Sequence, residues 1–423
     1  MQRTDRTNLR YFVLSGIFNT IMLNLYNPFV VKFLQRLEGN ELHISLLNSI
    51  PGLAGIIASL PGALFIIRRN QISTKNHLMK FIALSRLMLL GFALMPLVPR
   101  EIAPWLFLSV YIIKSLPETI SQTAFQGFTG DLFDDHFRST AISQRNKLGT
   151  PIAIIISLAS GYLLRAMPKS EEERMLYYQI FFVVSAIFGI FEILSYKFIH
   201  EPENKAEIKD LKLKALFKDL RGQKKFIGYT MSSLLFYFGW QMGWPLFSIY
   251  QVVYLGADEF WLSIISVVAL IGQYLGYGYW NRMIQRKGNA IVASITTLGM
   301  AFNPVLFAFL PNLYWISIIS FITGFFTAGN VTVLLNALLE ATPQENRVIY
   351  VGTYNTLINI SLMISPIAAH CVLRLTGIFW ALIVVSIVRF VGSIVFFMSH
   401  ISPPQKGKSA GNMLKMNQNS SLK

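Results

Sequence analysis

Lys114-Ser115-Leu116-Pro117-Glu118 places two opposite charges four residues apart inside an otherwise apolar segment, residues 102–126. On a helix this spacing sets both groups on one face, and the same step continues through Gln122 and Gln126. That face is polar over about three turns. It cannot look at lipid, because an ionisable group at bilayer depth costs at least about 2.5 kcal/mol and is normally paired or lines a wet cavity. The segment therefore belongs inside a bundle of membrane helices.

The rest of the chain agrees. Its 423 residues are 53% hydrophobic and 13% aromatic with only 14% charged, a membrane composition. Apolar runs long enough to cross about 30 Å of hydrocarbon predict spans near 11–34, 43–67, 76–98, 102–126, 147–167, 176–199, 226–250, 259–281, 288–310, 311–338, 347–373 and 376–399. The expected fold is all-α, with twelve transmembrane helices. The first run is too long and too polar in its middle (Asn19, Thr20, Asn24, Asn27) for a cleaved signal peptide. Cys371 stands alone, so neither an intramolecular disulfide nor a cysteine-based metal site is expected.

A net charge of +16 would otherwise raise the question of nucleic acid. Here its distribution speaks for topology. Cations gather before the first span (Arg3, Arg6, Arg10), between the second and third (Arg68, Arg69, Lys75) and between the fourth and fifth (Arg138, Arg145, Lys147), while the alternate loops are poorer. The positive-inside rule then puts both termini in the cytoplasm, in a multi-pass protein of the cell (plasma) membrane.

Composition breaks sharply after the sixth span. Residues 201–225 form a charged stretch in which Ile208, Leu211, Leu216, Phe217 and Leu220 recur at helical spacing beside Lys205, Lys209, Lys212 and Lys218. It reads either as an amphipathic helix on anionic headgroups or as a solvated linker. It divides the chain into a first half, residues 1–200, and a second, residues 226–400, before a polar tail, residues 401–423, expected to be disordered. The halves share a signal: Asp131, Arg138 and Asn146 follow the fourth span with gaps of seven and eight, and Glu340, Arg347 and Asn355 follow the tenth with the same gaps. Three positions at one offset argue for a 6+6 internal repeat.

With these residues in view, the sequence resembles the major facilitator superfamily over nearly its whole length. Residues 272–288, from Gly272 through Gly276, Arg282, Arg286 and Lys287 to Gly288, resemble the family's glycine-and-arginine loop motif, and Pro61-Gly62 through Arg68-Arg69 is a more degenerate counterpart. Both lack the motif's aspartate; Asn281 and Ile67 stand there. The resemblance implies a cytoplasmic gate of Arg68, Asp131, Arg138, Arg282, Glu340 and Arg347, whose ion pairs form when that side closes; ordinary headgroup-level charge is the plainer alternative. Gly272 and Gly276 permit close helix approach, and since the resemblance has spans 5 and 8 meet, they mark a candidate sliding surface. Gly324 and Gly329 can be read in the same way.

The resemblance also implies that spans 1, 4, 7 and 10 line a central cavity. Their polar and aromatic residues form the candidate site for substrate and proton: Lys114, Glu118 and Gln122; Asn24 and Asn27; Tyr237, Trp240, Gln241 and Trp244; Thr327 and Asn330. Amides, hydroxyls and flat aromatic walls suit a solute with polar and apolar surfaces. Lys114 and Glu118 read either as a substrate and proton centre or as a static pair. Arg86, Glu192 and Arg389 also lie deep, on spans expected to be supports, with an Arg86–Glu192 pair available within the first half.

The sequence holds no phosphate-binding Gly-rich loop, no His-Glu-x-x-His and no Gly-x-Ser-x-Gly, which argues against ATP-driven transport and hydrolysis. The expectation is a non-enzymatic secondary transporter of a small solute, working by alternating access with a proton as coupling ion. It is expected to be a monomer contacting membrane lipids, without cofactor, metal or nucleic acid. A transporter-like receptor or scaffold that binds a ligand or lipid without turnover is the alternative.

Overall fold

The computed structural model describes residues 3–68, 74–133, 135–200, 223–342 and 347–400, and every regular element among them is helical. The expected amphipathic segment lies almost wholly outside these residues, as does the tail. The long helices are α1 (Arg3–Tyr26), α2 (Glu41–Arg68), α3 (Thr74–Leu94), α4 (Ala103–Leu132), α5 (Asp135–Ala166), α6 (Glu171–Lys197), α7 (Lys224–Ile249), α8 (Glu259–Lys287), α9 (Asn289–Phe309), α10 (Leu313–Ala341) and α11 (Arg347–His400). Eight of them are long and apolar enough to cross a membrane. In the exceptions, α1, α4 and α7, polar residues such as Asn19, Asn24, Lys114, Glu118 and Gln241 interrupt the apolar run near its middle.

Boundaries follow local chemistry. Pro28 ends α1 in a tight 3₁₀ turn, Asn27–Phe29, before a short helix, Val30–Arg36. Ser170, Asp258 and Asn312 cap α6, α8 and α10 through their side-chain oxygens. Gly377 breaks α11 with φ of 78°, a left-handed conformation that a β-carbon would strain. The chain reverses there. Gln241 of α7 accepts a hydrogen bond from Ser361 before the break, while the neighbouring Gly239 and Trp240 carbonyls accept from Arg389 after it, so the two arms of α11 run side by side.

Helices α1–α6 pack mainly among themselves, as do α7–α11; the principal contacts between the groups are α2 with α11 and α5 with α8. Here one expectation is corrected. Gly272 and Gly276 do not serve the α5–α8 surface: a β-carbon at either would strike the Phe321 or Phe325 carbonyl of α10, and one at Gly324 would strike Ala269 of α8. These glycines seat α8 on α10 within the second group. The α5–α8 contact instead uses Gly161, whose missing β-carbon leaves room for Ser263 and the Glu259 carbonyl.

Arg389 is fully buried, and its support is not a carboxylate. It donates to the carbonyls of Gly239 (3.0 Å), Met300 (3.0 Å) and Trp240 (2.9 Å) and lies over the Phe247 ring. Pro304 has no N–H to offer the Met300 carbonyl one turn earlier, so Arg389 fills the bond that this proline removes.

A candidate central cavity with a buried charge relay

On α4, Lys114 and Glu118 do share a face: Lys114 Nζ lies 2.5 Å from Glu118 Oε2. Lys114 is 3% exposed and Glu118 21%. The lysine ammonium also lies 5.9 Å from the Tyr26 ring centre and 5.8 Å from that of Tyr111, so aromatic faces offset part of its lost hydration. Both charges border a cavity of about 560 Å³. Its wall on α4 runs from Tyr111 to Gln126, with Leu23, Tyr26 and Asn27 from α1, Gly55 from α2, and Asn355 and Asn359 from α11.

Glu118 does not belong to Lys114 alone. Its other oxygen lies 3.2 Å from Arg86 Nη1. Arg86 in turn donates from Nε and Nη2 to Glu192 Oε2, each at 3.2 Å, and from Nη2 to Asn19 Oδ1 at 3.1 Å. The Arg86–Glu192 pair is therefore present, but the expectation that Arg86 is only a support is overturned. Arg86, Glu118 and Glu192 line a second cavity of about 390 Å³, which shares Leu23, Glu118, Gln122 and Gln126 with the first. Gly189 makes this reach feasible, because a β-carbon there would stand 2.7 Å from Arg86 Cγ.

Arg145, counted above among the loop cations, also turns into the second cavity. Its Nη1 donates to the Phe12 carbonyl and Ser15 Oγ, and its guanidinium lies beside the stacked Phe12 and Phe125 rings. Its sequence neighbours are polar, which hid this role; the one signal was Gly16, where a β-carbon would collide with its stem.

The remaining expected site residues are placed differently. Asn24 donates to the Thr20 carbonyl of its own helix. Tyr237, Trp240 and Trp244 form an aromatic ladder along α7, with centroid spacings of 5.4 and 6.3 Å. Gln241 is buried and ties α7 to α11 through Ser361 Oγ (2.7 Å) and the Ile358 carbonyl (3.4 Å). Thr327 donates to the Thr323 carbonyl, and Asn330 is wholly buried with no hydrogen-bond partner for its amide among the described residues. Asn27, Lys114, Glu118 and Gln122 share the central cavity, and its far wall comes from Asn355, Ile358, Asn359 and Leu362 of α11. Sequence reasoning missed that wall, though Asn359 packs where Gly55 lacks a β-carbon.

At the loops joining α1 to α2, α5 to α6 and α7 to α8, the two groups are pinned together. Arg36 Nε meets Glu259 Oε1 at 2.6 Å, Tyr178 donates to the same oxygen at 2.9 Å, and Arg36 also pairs with Glu171. Arg165 adds a pair with Asp258 at 3.3 Å. Toward the other face, α5 and α8 diverge around a space of about 650 Å³ between Asn146 and Gln273. The expected gate residues lie at helix ends on that face. The side chains of Arg68, Asp131, Arg138 and Arg347 are outside the described ones; Glu340 accepts from Asn289 at 2.6 Å, and Arg282 Nε donates to the Gly278 carbonyl.

Comparison with known proteins supports the same fold. A sequence model of the Major Facilitator Superfamily matches residues 229–417. No curated protein matches the sequence. Among solved structures, the nucleoside transporter NupG aligns over 92% of this chain and 100% of its own at a TM-score of 0.72 and 13% identity. A bacterial homolog of the human lysosomal transporter Spinster, inward-facing and unoccupied, aligns over 94% and 97% at 0.67 and 11% identity. The human organic anion transporter MFSD10 (TETRAN) aligns over 93% and 100% at 0.60 and 13% identity. The second half of the chain thus matches the Major Facilitator Superfamily model, and the whole chain, a multi-pass membrane protein by its apolar helices, is similar in fold to these transporters.

Proposed function

We propose that this protein is a secondary active transporter that carries a small solute through the central cavity by alternating access, with Glu118 taking up the coupling proton. The observation that carries the reading is a polar cavity walled by both helix groups, with a buried Lys114–Glu118 pair on one side and amides of α11 on the other. In this reading the chain forms two six-span halves, with the arms of α11 as spans 11 and 12 and both termini cytoplasmic. The halves rock about the α2–α11 and α5–α8 contacts. The Arg36–Glu259 contact closes the external face, and the six charged helix-end residues close the cytoplasmic one in the opposite state. Two separate cations, Lys114 and Arg86, hold Glu118 ionised, and protonation becomes easier only when one of them is drawn away. A solute that draws Lys114 away changes the energy of protonating Glu118, which links binding to proton uptake.

The test is counterflow and pH-gradient-driven uptake by purified protein in liposomes, with a mixed panel of labelled solutes. Transport requires that a preloaded solute accelerate label accumulation; binding without accumulation identifies a receptor instead. Glu118→Gln should abolish the pH dependence of uptake while leaving counterflow measurable. An unchanged pH profile removes Glu118 as the proton carrier.

A further inference from the structure

The two joined chambers contain more positive than negative charge. Lys114, Arg86 and Arg145 border them, against Glu118 and Glu192. The other titratable side chains on these walls, Tyr26, Tyr111 and Tyr196, are phenols. Nothing in the second half supplies a balancing acid. Between residues 224 and 400 the sequence has only the carboxylates Asp258, Glu259, Glu340 and Glu345; the first three lie near helix ends and Glu345 is outside the described residues.

The surplus can be located. Arg86 binds both carboxylates and Lys114 binds Glu118, so these four charges form a neutral set. Among the described residues Arg145 is left over: Glu192 is near enough to feel its charge but bonds to Arg86, and the acceptors of Arg145 are the Phe12 carbonyl at 3.2 Å, Ser15 Oγ at 3.1 Å and the Tyr196 hydroxyl at 3.5 Å, all neutral. These three contacts all use Nη1, leaving Nε and Nη2 available beside the second cavity. The rings of Phe12 and Phe125, 4.9 and 4.7 Å from the guanidinium carbon, stabilise the cation without cancelling its charge. A guanidinium in this position presents a planar fork that fits a carboxylate or phosphate group.

We propose that the solute is an organic monoanion, whose charged group seats beside Arg145 in the smaller chamber while its neutral portion extends past Gln122 and Gln126 into the larger one. This deepens the transport reading and rests on it for the word solute, but the anion site itself stands on the charge count and the geometry. The walls fit such a division, since the larger chamber ends in the neutral amides of Asn355 and Asn359.

The experiment uses the purified full chain and two triplets matched in shape: benzoate, benzamide and benzylamine, and gluconate, glucose and glucosamine. Thermal-shift titration reads binding, and counterflow in liposomes reads transport. In at least one triplet the anion should bind tenfold or more tighter than its neutral and cationic partners. Arg145→Gln should weaken that anion by about 10- to 100-fold, the range for a hydrogen bond to a charged group, and Arg145→Lys should retain part of it. Glu192→Gln, which enlarges the positive surplus, should strengthen it. Equal or tighter binding of a neutral or cationic member overturns the inference, as does stabilisation by neither anion, or a wild-type anion affinity in folded Arg145→Gln. Counterflow of a neutral member would refute the anion site and leave transport standing; anion binding without counterflow would do the reverse.

Discussion

Replacing Arg36 with alanine should open the face that Arg36 and Glu259 hold shut. Glu259 is 1% exposed and shares one oxygen between Arg36 and Tyr178, so removing the arginine leaves a buried carboxylate with neutral hydrogen-bond donors only. Breaking a fully buried pair in this manner costs about 3–5 kcal/mol. Here Arg36 is 15% exposed and Glu259 begins α8, where the helix dipole favours a carboxylate, so about 1.5–3 kcal/mol is the better expectation. The cost falls on the closed state alone, because Arg36 and Glu259 belong to different groups and water reaches Glu259 once they part. At 1.4 kcal/mol per tenfold, the open population should rise roughly 10- to 150-fold. Ser263 reports it, being fully buried against Gly161 across the α5–α8 contact. In a Cys371→Ser background, Ser263→Cys should be alkylated by an impermeant maleimide at least tenfold faster with Arg36→Ala. Glu171→Gln should change the rate little, because Glu171 is 63% exposed and an exposed pair is worth about 0–1 kcal/mol. The reasoning is refuted if Arg36→Ala leaves alkylation unchanged in folded protein, or if Glu171→Gln matches it.

Two further perturbations test packing around buried cations. Gly189→Ala should lower stability by about 1–3 kcal/mol in thermal denaturation, because the new methyl group meets the stem of Arg86 and forces it from Glu192. Alanine at Gly228, where nothing lies within 4 Å, should not be destabilising. Arg389→Met should cost about 1–3 kcal/mol by stranding the Met300 carbonyl, while the Gly239 and Trp240 carbonyls keep their partners within α7. Pro304→Ala, which returns an N–H to that carbonyl, should make the double variant less damaged than the sum of the singles; strict additivity would show that Arg389 does not compensate for the proline.

Spacing alone was enough to pair Lys114 with Glu118, since residues four apart on one helix are neighbours whatever surrounds them. The helical membrane class was legible for a similarly local reason: run length and apolarity act segment by segment, and only the polar α1, α4 and α7 fall below the threshold for a simple span. Function was legible less directly. The loop motif in the second half pointed to the family, and the matched residues, 229–417, include that half's motif.

What joins one helix to another could not be read along the chain. Arg86 reaches Glu118 and Glu192 from α3 because Gly189 clears its path, and Arg145 enters the bundle because Gly16 does the same. Gly272 and Gly276 had the spacing for close approach, but spacing names no partner, and the partner is α10. Thus the sequence by itself determined an all-helical membrane chain with a charged face on α4, because helix formation and insertion depend on residues near one another. Only the tertiary structure decided that this face joins a linked set of four charges with Arg145 as a further cation beside it, because the sign and balance of a buried site depend on side chains brought together from α3, α4, α5 and α6.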